Sequence, residues 1–531
     1  MRALAASIVA PPAVESDPDL IARFLSDAAH YPGGHLTGVV RPRSTEEASA
    51  ALAGGGPWLA VGAQSSLTGG ATPMGATVLS TERLTSLVID GPDRVRAGAG
   101  VTLQALQDAL AARGLWLPPV PTWLGATVGG AVATNAAGAA TFKYGAMREW
   151  VEGLRVVLAS GETLTLARGA ARATGAGVIE IDTARGLIAV PVPPYAMPDV
   201  PKRSAGYFAA PGMDLVDLFI GSEGTLGVIT EATLRVAPRP AGVCWALVPM
   251  RDEPAAIALV ADLRRASRAT WATGEAAGID VSAIEHLDHR SLEILREDGA
   301  DRRHDVRLPP DAGVVLLVQI EVSAAAAARD LWSDLARATE VDAEDAPLVR
   351  LCRLLQAHGV LEDTEVALPG DLRRARAFVE LREAVPAGVN ARVAAAQASI
   401  DPRITKTAAD MIVPFDRFGA LMTACRALCA ARDLDLVVWG HISDGNVHPN
   451  VIPRRVEDVA HGREAILELG RLVIAMGGCP LAEHGVGRNP VKQQLLELLY
   501  GRAGIDAMRA VRRALDPGDR LAPGVLFDGH G

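Results

Sequence analysis

PTWLGATVGGAVATNAAGA, residues 121–139, contains no charged side chain and four glycines. Runs of this kind let backbone N–H groups come close to an anion or a flat ring. A second run, VGAQSSLTGGATP (61–73), follows the short apolar strand WLAV (58–61), and a third is FIGSEGTLGVITEA (219–232). The first of these in the chain fits neither GxxxxGK[ST] nor GxGxxG, which disfavours a Walker or Rossmann phosphate site. Any one run reads as ordinary turn glycine. Three together point to several backbone segments packed on one long, flat, diphosphate-bearing ligand.

Working outward, residues 35 to about 238 alternate strands and helices punctuated by glycine. TVLS (77–80) and LTSLVID read as strands, and LRVVLASGETLTL as a hairpin about Ser160-Gly161. In TLQALQDALAARG, Leu103, Leu106 and Leu110 share one helical face, with Thr102 as N-cap and Gly114 as stop. The stretch 177–202 ends proline-rich and reads as an extended excursion or flap. After APRPAG, near 239, the texture changes to longer helices (EPAAIALVADLRRAS, SAAAAARDLWSDLARAT, FGALMTACRALCAARD) and apolar strands (GVVLLVQIEV, LDLVVWGHI).

The chain has 531 residues, a net charge of −10 and 49% hydrophobic content, which fits two or three globular domains and argues against nucleic-acid binding. Its five cysteines (Cys244, Cys352, Cys425, Cys429, Cys479) form no CxxC pair, so neither a disulfide framework nor an iron–sulfur module is expected and a cytoplasmic setting fits. Pro11-Pro12 and Glu15 after a short apolar run argue against a cleaved signal, and no run is long enough to span a membrane. Peripheral membrane contact and homo-oligomerisation are left open. Of 52 basic residues only Lys143, Lys202, Lys406 and Lys492 are lysine, leaving 48 arginines. A lysine kept in such a chain marks a position that wants a compact ammonium, or simply chance.

HISDGNVHPN (441–450) centres on Asp444-Gly445, a preferred two-residue hairpin loop. Counting outward places Ser443 opposite Asn446, Ile442 opposite Val447 and His441 opposite His448. The two imidazoles would then share a face and could converge on one ion, or simply decorate a surface hairpin. His286 and His289 of IEHLDHR, and His461, read as structural or solvated. DPRITKTAADMIVP (401–414) offers Arg403 and Lys406 as cations for a substrate carboxylate, with an ordinary surface role the alternative.

PTWLGATVGGAVATNAAGA, followed by Lys143-Tyr144-Gly145 and GSEGTLGVIT, resembles FAD-binding domains of the vanillyl-alcohol oxidase type. HISDGNVH and AEHGVG narrow the resemblance to flavin-linked D-2-hydroxyacid dehydrogenases, which include D-lactate dehydrogenases and the glycolate oxidase flavin subunit. The resemblance implies an α+β fold: a two-subdomain FAD-binding domain of that type with an α+β cap domain on an antiparallel sheet. The expected segments are an N-terminal stretch 1–34, the FAD domain 35–239, a cap 240–470 carrying the hairpin, and 471–531 returning to the FAD domain. FAD would meet the first loop through Gly62, Ala63, Gln64, Ser65, Ser66, Gly69 and Gly70. The second loop would contribute Pro121, Thr122, Gly125, Thr127, Gly130 and Thr134, and the third Glu223, Gly227 and Ile229. Val61-Gly62, Ala131 and Ala522-Pro523 depart from the family's usual residues. No histidine lies in the first two loops, so FAD is expected to bind non-covalently.

The same resemblance sets Glu483 beside His441 and His448 as ligands of a divalent ion. Such a set would also suit non-haem iron, but a flavin makes a redox metal unnecessary, which favours zinc or manganese. His484 would act as general base, and Asn446 would bond substrate or orient a ligand. The implied reaction is oxidation of a D-2-hydroxy acid to the 2-oxo acid. A cytochrome, a quinone, an electron-transfer flavoprotein or oxygen would take the electrons. The alternatives are an alkyldihydroxyacetone-phosphate synthase-like flavoenzyme and a non-catalytic flavoprotein subunit.

Overall fold

The computed structural model describes residues 9–119, 121–340 and 342–527. Most of the N-terminal run read above for a signal, residues 1–8, lies outside them. The chain divides into two compact units. The first takes the chain as far as Gly138, then Gly145–Arg239, and the stretch from Cys479 onward; the second takes Ala139–Tyr144 and Pro240–Gly478.

The larger sheet of the first unit is antiparallel, in the order Leu87–Asp90, Arg94–Gly98, Val228–Arg235, Val151–Val157, Thr163–Ala167. Its last pair is the hairpin expected about Ser160-Gly161, with Val157 opposite Thr163. A small parallel sheet orders Val39–Val40, Thr77–Ser80 and Trp58–Val61. The helix Leu103–Ala111 starts where Thr102 accepts from Ala105 N at 3.1 Å, and it buries Leu103, Leu106 and Leu110. The excursion after residue 177 is more ordered than its prolines suggest: Val178–Thr183 and Gly186–Pro191 pair as an antiparallel hairpin.

The second unit is built on an eight-stranded sheet, paired antiparallel. The order is Glu365–Ala367, Gly242–Met250, Val314–Val322, Val281–Leu287, Asp435–His441, Asn446–Ile452, Thr407–Ala408, with Met411–Ile412 also on Asn446–Ile452. The helix Leu372–Ser399 sets Phe378, Leu381, Val385 and Val389 against Leu247, Leu317, Val437 and Trp439 of the sheet. SAAAAARDLWSDLARAT is not one helix but two, Ala324–Ala327 and Leu331–Ala336. Asp330 accepts from Trp332 N and Ser333 N, a local bond that competes with continuing the helix. The second piece buries no residue, so packing does not override that local preference.

The histidine hairpin differs from expectation in register. The observed pairing sets Trp439 opposite His448 and Asp435 opposite Ile452, so residues 442–445 form a four-residue loop rather than a two-residue one. A slip of two positions keeps every side chain on its expected face, whereas a slip of one would have reversed it. The cause lies at Gly440 and Gly445: the backbone of Asn446 and Val447 leaves no space for a Cβ at Gly440, and the Val413 carbonyl leaves none at Gly445. Gly445 also holds φ near +89°, where an L residue is strained. Gly445→Ala is expected to cost at least about 1–3 kcal/mol from the backbone conformation alone, read as a lower urea midpoint with an unchanged slope.

Candidate functional site

In the first unit the small-residue runs meet closely, through main chain and short hydroxyl side chains. A Cβ on Gly62 would overlap Thr127 Oγ1, and that oxygen accepts from Gly130 N at 3.3 Å to start the helix Val128–Ala133. At the other end of this helix, Val132 and Ala133 carbonyls accept from Gly221 N and Glu223 N at 3.0 and 2.8 Å. Ser66 Oγ accepts from Thr68 N and Gly70 N at 3.2 and 3.3 Å. A Cβ on Gly487 would overlap Thr68, and a Cβ on Gly69 would strike the Tyr31 ring. The walls here therefore combine exposed main chain with short hydroxyl side chains, a surface that suits a diphosphate and a flat ring system. These residues fit a flavin dinucleotide.

The remaining predicted contacts fall into three groups. Ala63, Ser65, Pro121, Gly125 and Thr134 are half-buried and Thr122 is exposed. Gly227 and Ile229 are buried, Gly227 because a Cβ would overlap Val156 and Ile229 because it pairs with Val156 in the sheet. Gln64, at φ near +52°, donates its side-chain amide to the Phe24 and Ser26 carbonyls and so braces the loop. Glu223 is a clamp: its two oxygens accept from Val486 N and Gly487 N, both at 2.8 Å.

Glu483 and His484 belong to the same unit. Glu483 Oε2 lies 3.0 Å from Nζ of the fully buried Lys202, and His484 Nε2 lies 3.5 Å from Glu483 Oε1. Ser204 N donates to the Ala482 carbonyl at 3.0 Å. The irregular chain after Pro191 thus delivers a lysine to the predicted metal ligand, a role that no local pattern announced.

In the second unit His441 and His448 are buried with ring centroids 5.4 Å apart. Each has a carboxylate at Nδ1: Glu285 Oε1 at 3.0 Å from His441 and Asp410 Oδ1 at 3.5 Å from His448. Glu285 sits directly opposite His441 in the sheet. Asn446 donates Nδ2 to Asp410 Oδ1 and to the Met411 carbonyl, both at 2.9 Å, so it orients the second carboxylate. At 3.0 Å the Glu285 carboxylate fixes the tautomer and ring of His441 and presents Nε2, the arrangement that metal-binding histidines use, while Asp410 stands at ion-pair distance from His448. The donor chemistry of this half fits a divalent ion.

Lys406 is exposed, donates to Asn390 Oδ1 at 2.9 Å and lies 6.0 Å from the ring of Trp439, the cross-strand neighbour of His448. Arg403 is exposed and its guanidinium pairs with Asp401 at 2.6 Å. His286 is buried against Glu253 at 2.7 Å, whereas His289 is exposed beside Glu293. Glu285 and Asp410 went unnoticed in the sequence. The available signal was an acid inside an apolar strand, SAIEHL, with all seven residues of Val281–Leu287 buried.

Residues 36–167 match the FAD binding domain family, and residues 250–526, more than half of the chain, match the FAD linked oxidases, C-terminal domain. The chain belongs to the FAD-linked oxidases. FAD-linked oxidases to which it is similar include the glycolate oxidase subunit GlcD of Bacillus subtilis, 28% identical over 92% of this chain and 88% of that protein. A D-lactate dehydrogenase of Archaeoglobus fulgidus is 29% identical over 92% and 90%. A D-2-hydroxyglutarate dehydrogenase of Xanthomonas citri is 29% identical over 88% and 84%. The protein is an FAD-linked oxidoreductase, with the antiparallel sheets and FAD-binding fold this membership implies. Among the described residues no helix is long and apolar enough to cross a membrane.

Burial pushes the Glu223 carboxyl up to about 7, against the opposing pull of the Val486 and Gly487 N–H groups and of Lys492. A folded pKa above the unfolded value of 4.5 means that this group's contribution to stability is full below 4.5 and is lost as pH rises through about 7. In flavin-free protein, the melting temperature of wild type relative to Glu223→Gln is expected to fall between pH 5 and pH 8. A pH-independent difference by calorimetry would mean that the carboxyl is ionised throughout.

Proposed function

We propose that this protein oxidises a D-2-hydroxy acid of the D-lactate or glycolate kind to the 2-oxo acid, using FAD and a zinc or manganese ion held by His441, His448 and Glu483. The observation that carries the reading is the buried histidine pair with a carboxylate at each Nδ1. Two imidazoles and one carboxylate form a donor set that leaves coordination positions for a substrate. When bound, FAD supplies a two-electron acceptor and the ion supplies a Lewis acid for the substrate hydroxyl.

His484 takes the hydroxyl proton, a role suited to an imidazole near neutral pH. Lys406 rather than Arg403 meets the substrate carboxylate, because the Arg403 guanidinium already holds Asp401 while the Lys406 ammonium lies 6.0 Å from the ring of Trp439, the cross-strand neighbour of His448. Asn446 acts through Asp410 as a positioning residue. The relatives named for D-lactate, glycolate and D-2-hydroxyglutarate support the substrate class. A cytochrome, a quinone, an electron-transfer flavoprotein or oxygen then takes the electrons.

Purified protein is expected to be yellow and to be bleached anaerobically by one or more of these D-2-hydroxy acids or by glycolate. Chelation should abolish bleaching while the colour remains, and added zinc or manganese should restore it. Bleaching at an unchanged rate in metal-free protein would remove the ion from the proposal. His484→Ala is expected to slow flavin reduction by about 10²–10⁴-fold with flavin and metal contents unchanged, measured by stopped-flow and elemental analysis.

A further inference from the structure

We infer that Arg382 is a positioning residue for the histidine pair, fixing Glu285 so that Glu285 fixes the ring of His441. The inference rests on the metal site proposed above. Arg382 lies on the helix Leu372–Ser399, and only 9% of it is exposed. Its two terminal nitrogens are divided: one lies 3.3 Å from Glu285 Oε2 and the other 2.8 Å from Glu383 Oε1. The other oxygen of Glu285 lies 3.0 Å from His441 Nδ1. Glu285 is therefore held at both oxygens, by a guanidinium on one side and an imidazole on the other, which removes its freedom to rotate.

Docking of the helix does not explain the arginine, since Phe378, Leu381, Val385 and Val389 already bury that helix face against the sheet. Nor does ion-pair stability, because the desolvation of a buried pair offsets much of its attraction. What a buried pair does supply is fixed geometry. The guanidinium presents a separate nitrogen to each carboxylate in one rigid plane, a fixed geometry that a rotatable ammonium does not impose.

The test compares wild type, Arg382→Met and Arg382→Lys as purified flavoproteins, titrated with a chelator while zinc or manganese per flavin is counted. Arg382→Met should bind the ion about 10–100-fold more weakly, the range for residues supporting a metal ligand, at unchanged flavin content; its melting temperature should fall, because Glu285 loses a buried counter-ion, so the metal titration and not stability is the deciding readout. Arg382→Lys should recover part of the loss, and Glu285→Gln should weaken binding in the same range. Equal metal retention in wild type and Arg382→Met would overturn the inference while leaving the metal site standing. A wild type that carries no ion and binds none on titration would instead overturn the site and this inference with it. If Arg382→Met does not yield flavoprotein, Arg382→Lys and Glu285→Gln decide: wild-type retention in both overturns the inference, and weakened retention supports it.

Discussion

A carboxylate buried in an apolar sheet must be given partners, and the second unit buries two of them beside imidazoles. Glu285 lies in a strand with every residue buried, and Asp410 is 1% exposed. Each is compensated from two directions: Glu285 by His441 and Arg382, Asp410 by His448 and Asn446. The adjacent residue of the strand repeats the solution on the opposite face, where His286 meets Glu253. Acid–imidazole pairs thus stand on both sides of one strand; on one side His441 has a second imidazole, His448, with ring centroids 5.4 Å apart, whereas on the other His286 faces the phenyl ring of Phe418 at 5.6 Å. That asymmetry is what sets the proposed ligand pair apart from a core histidine.

The first unit meets a different constraint by different means. Its loops are shaped by the absence of side chains at Gly62, Gly69 and Gly487, where neighbouring groups already fill the space of a Cβ. Charge enters sparingly, and Glu223 engages two backbone donors of the 485–488 turn with its carboxylate. The loop framework depends on those main-chain contacts more than on any single side chain. Departures from the usual family residues at Val61, Ala131 and Ala522 are therefore compatible with the same architecture, because none of them falls on these clamps.

Much of this was legible in the chain itself. Period-two and period-3.6 patterns gave the Ser160-Gly161 hairpin and the Leu103–Ala111 helix, since both are set by local turn and cap chemistry. The face of His441 and His448 was legible because side-chain alternation survives a slip of two. Their register was not, because it depends on the approach of Val413 to Gly445, a contact 32 positions away in sequence. The same limit hid Glu285: an acid in an apolar run has no meaning until its partners, His441 and Arg382, are known. The broken 324–336 helix shows the converse, a strong alanine pattern overruled by one aspartate where no burial opposes it.

The scarcity of lysine acquires a physical sense once the contacts are known. Lys202 is fully buried beside Glu483, Lys492 is buried with its ammonium directed at the Gly485 carbonyl, and Lys143 stands between Asp280 and Glu321. For Lys202 and Lys492 a point charge meets an acceptor inside a crowded space, where a planar fork would need more room. Lys143 and Arg382 each meet two carboxylates, Lys143 with one ammonium and Arg382 with a separate nitrogen for each. Both predicted metal-site carboxyl environments therefore contain a cation whose shape suits its surroundings, an ammonium at Glu483 and a guanidinium at Glu285. A cation next to a ligand carboxylate opposes ion binding by charge while favouring it by pre-orientation. For Lys202, which pairs with the proposed ligand Glu483 itself, the two effects would compete directly. Arg382 acts one residue further back, through Glu285 on the His441 imidazole, so in the proposed site its charge stands farther from the ion while its hold on Glu285 remains, which is why the positioning role is assigned there.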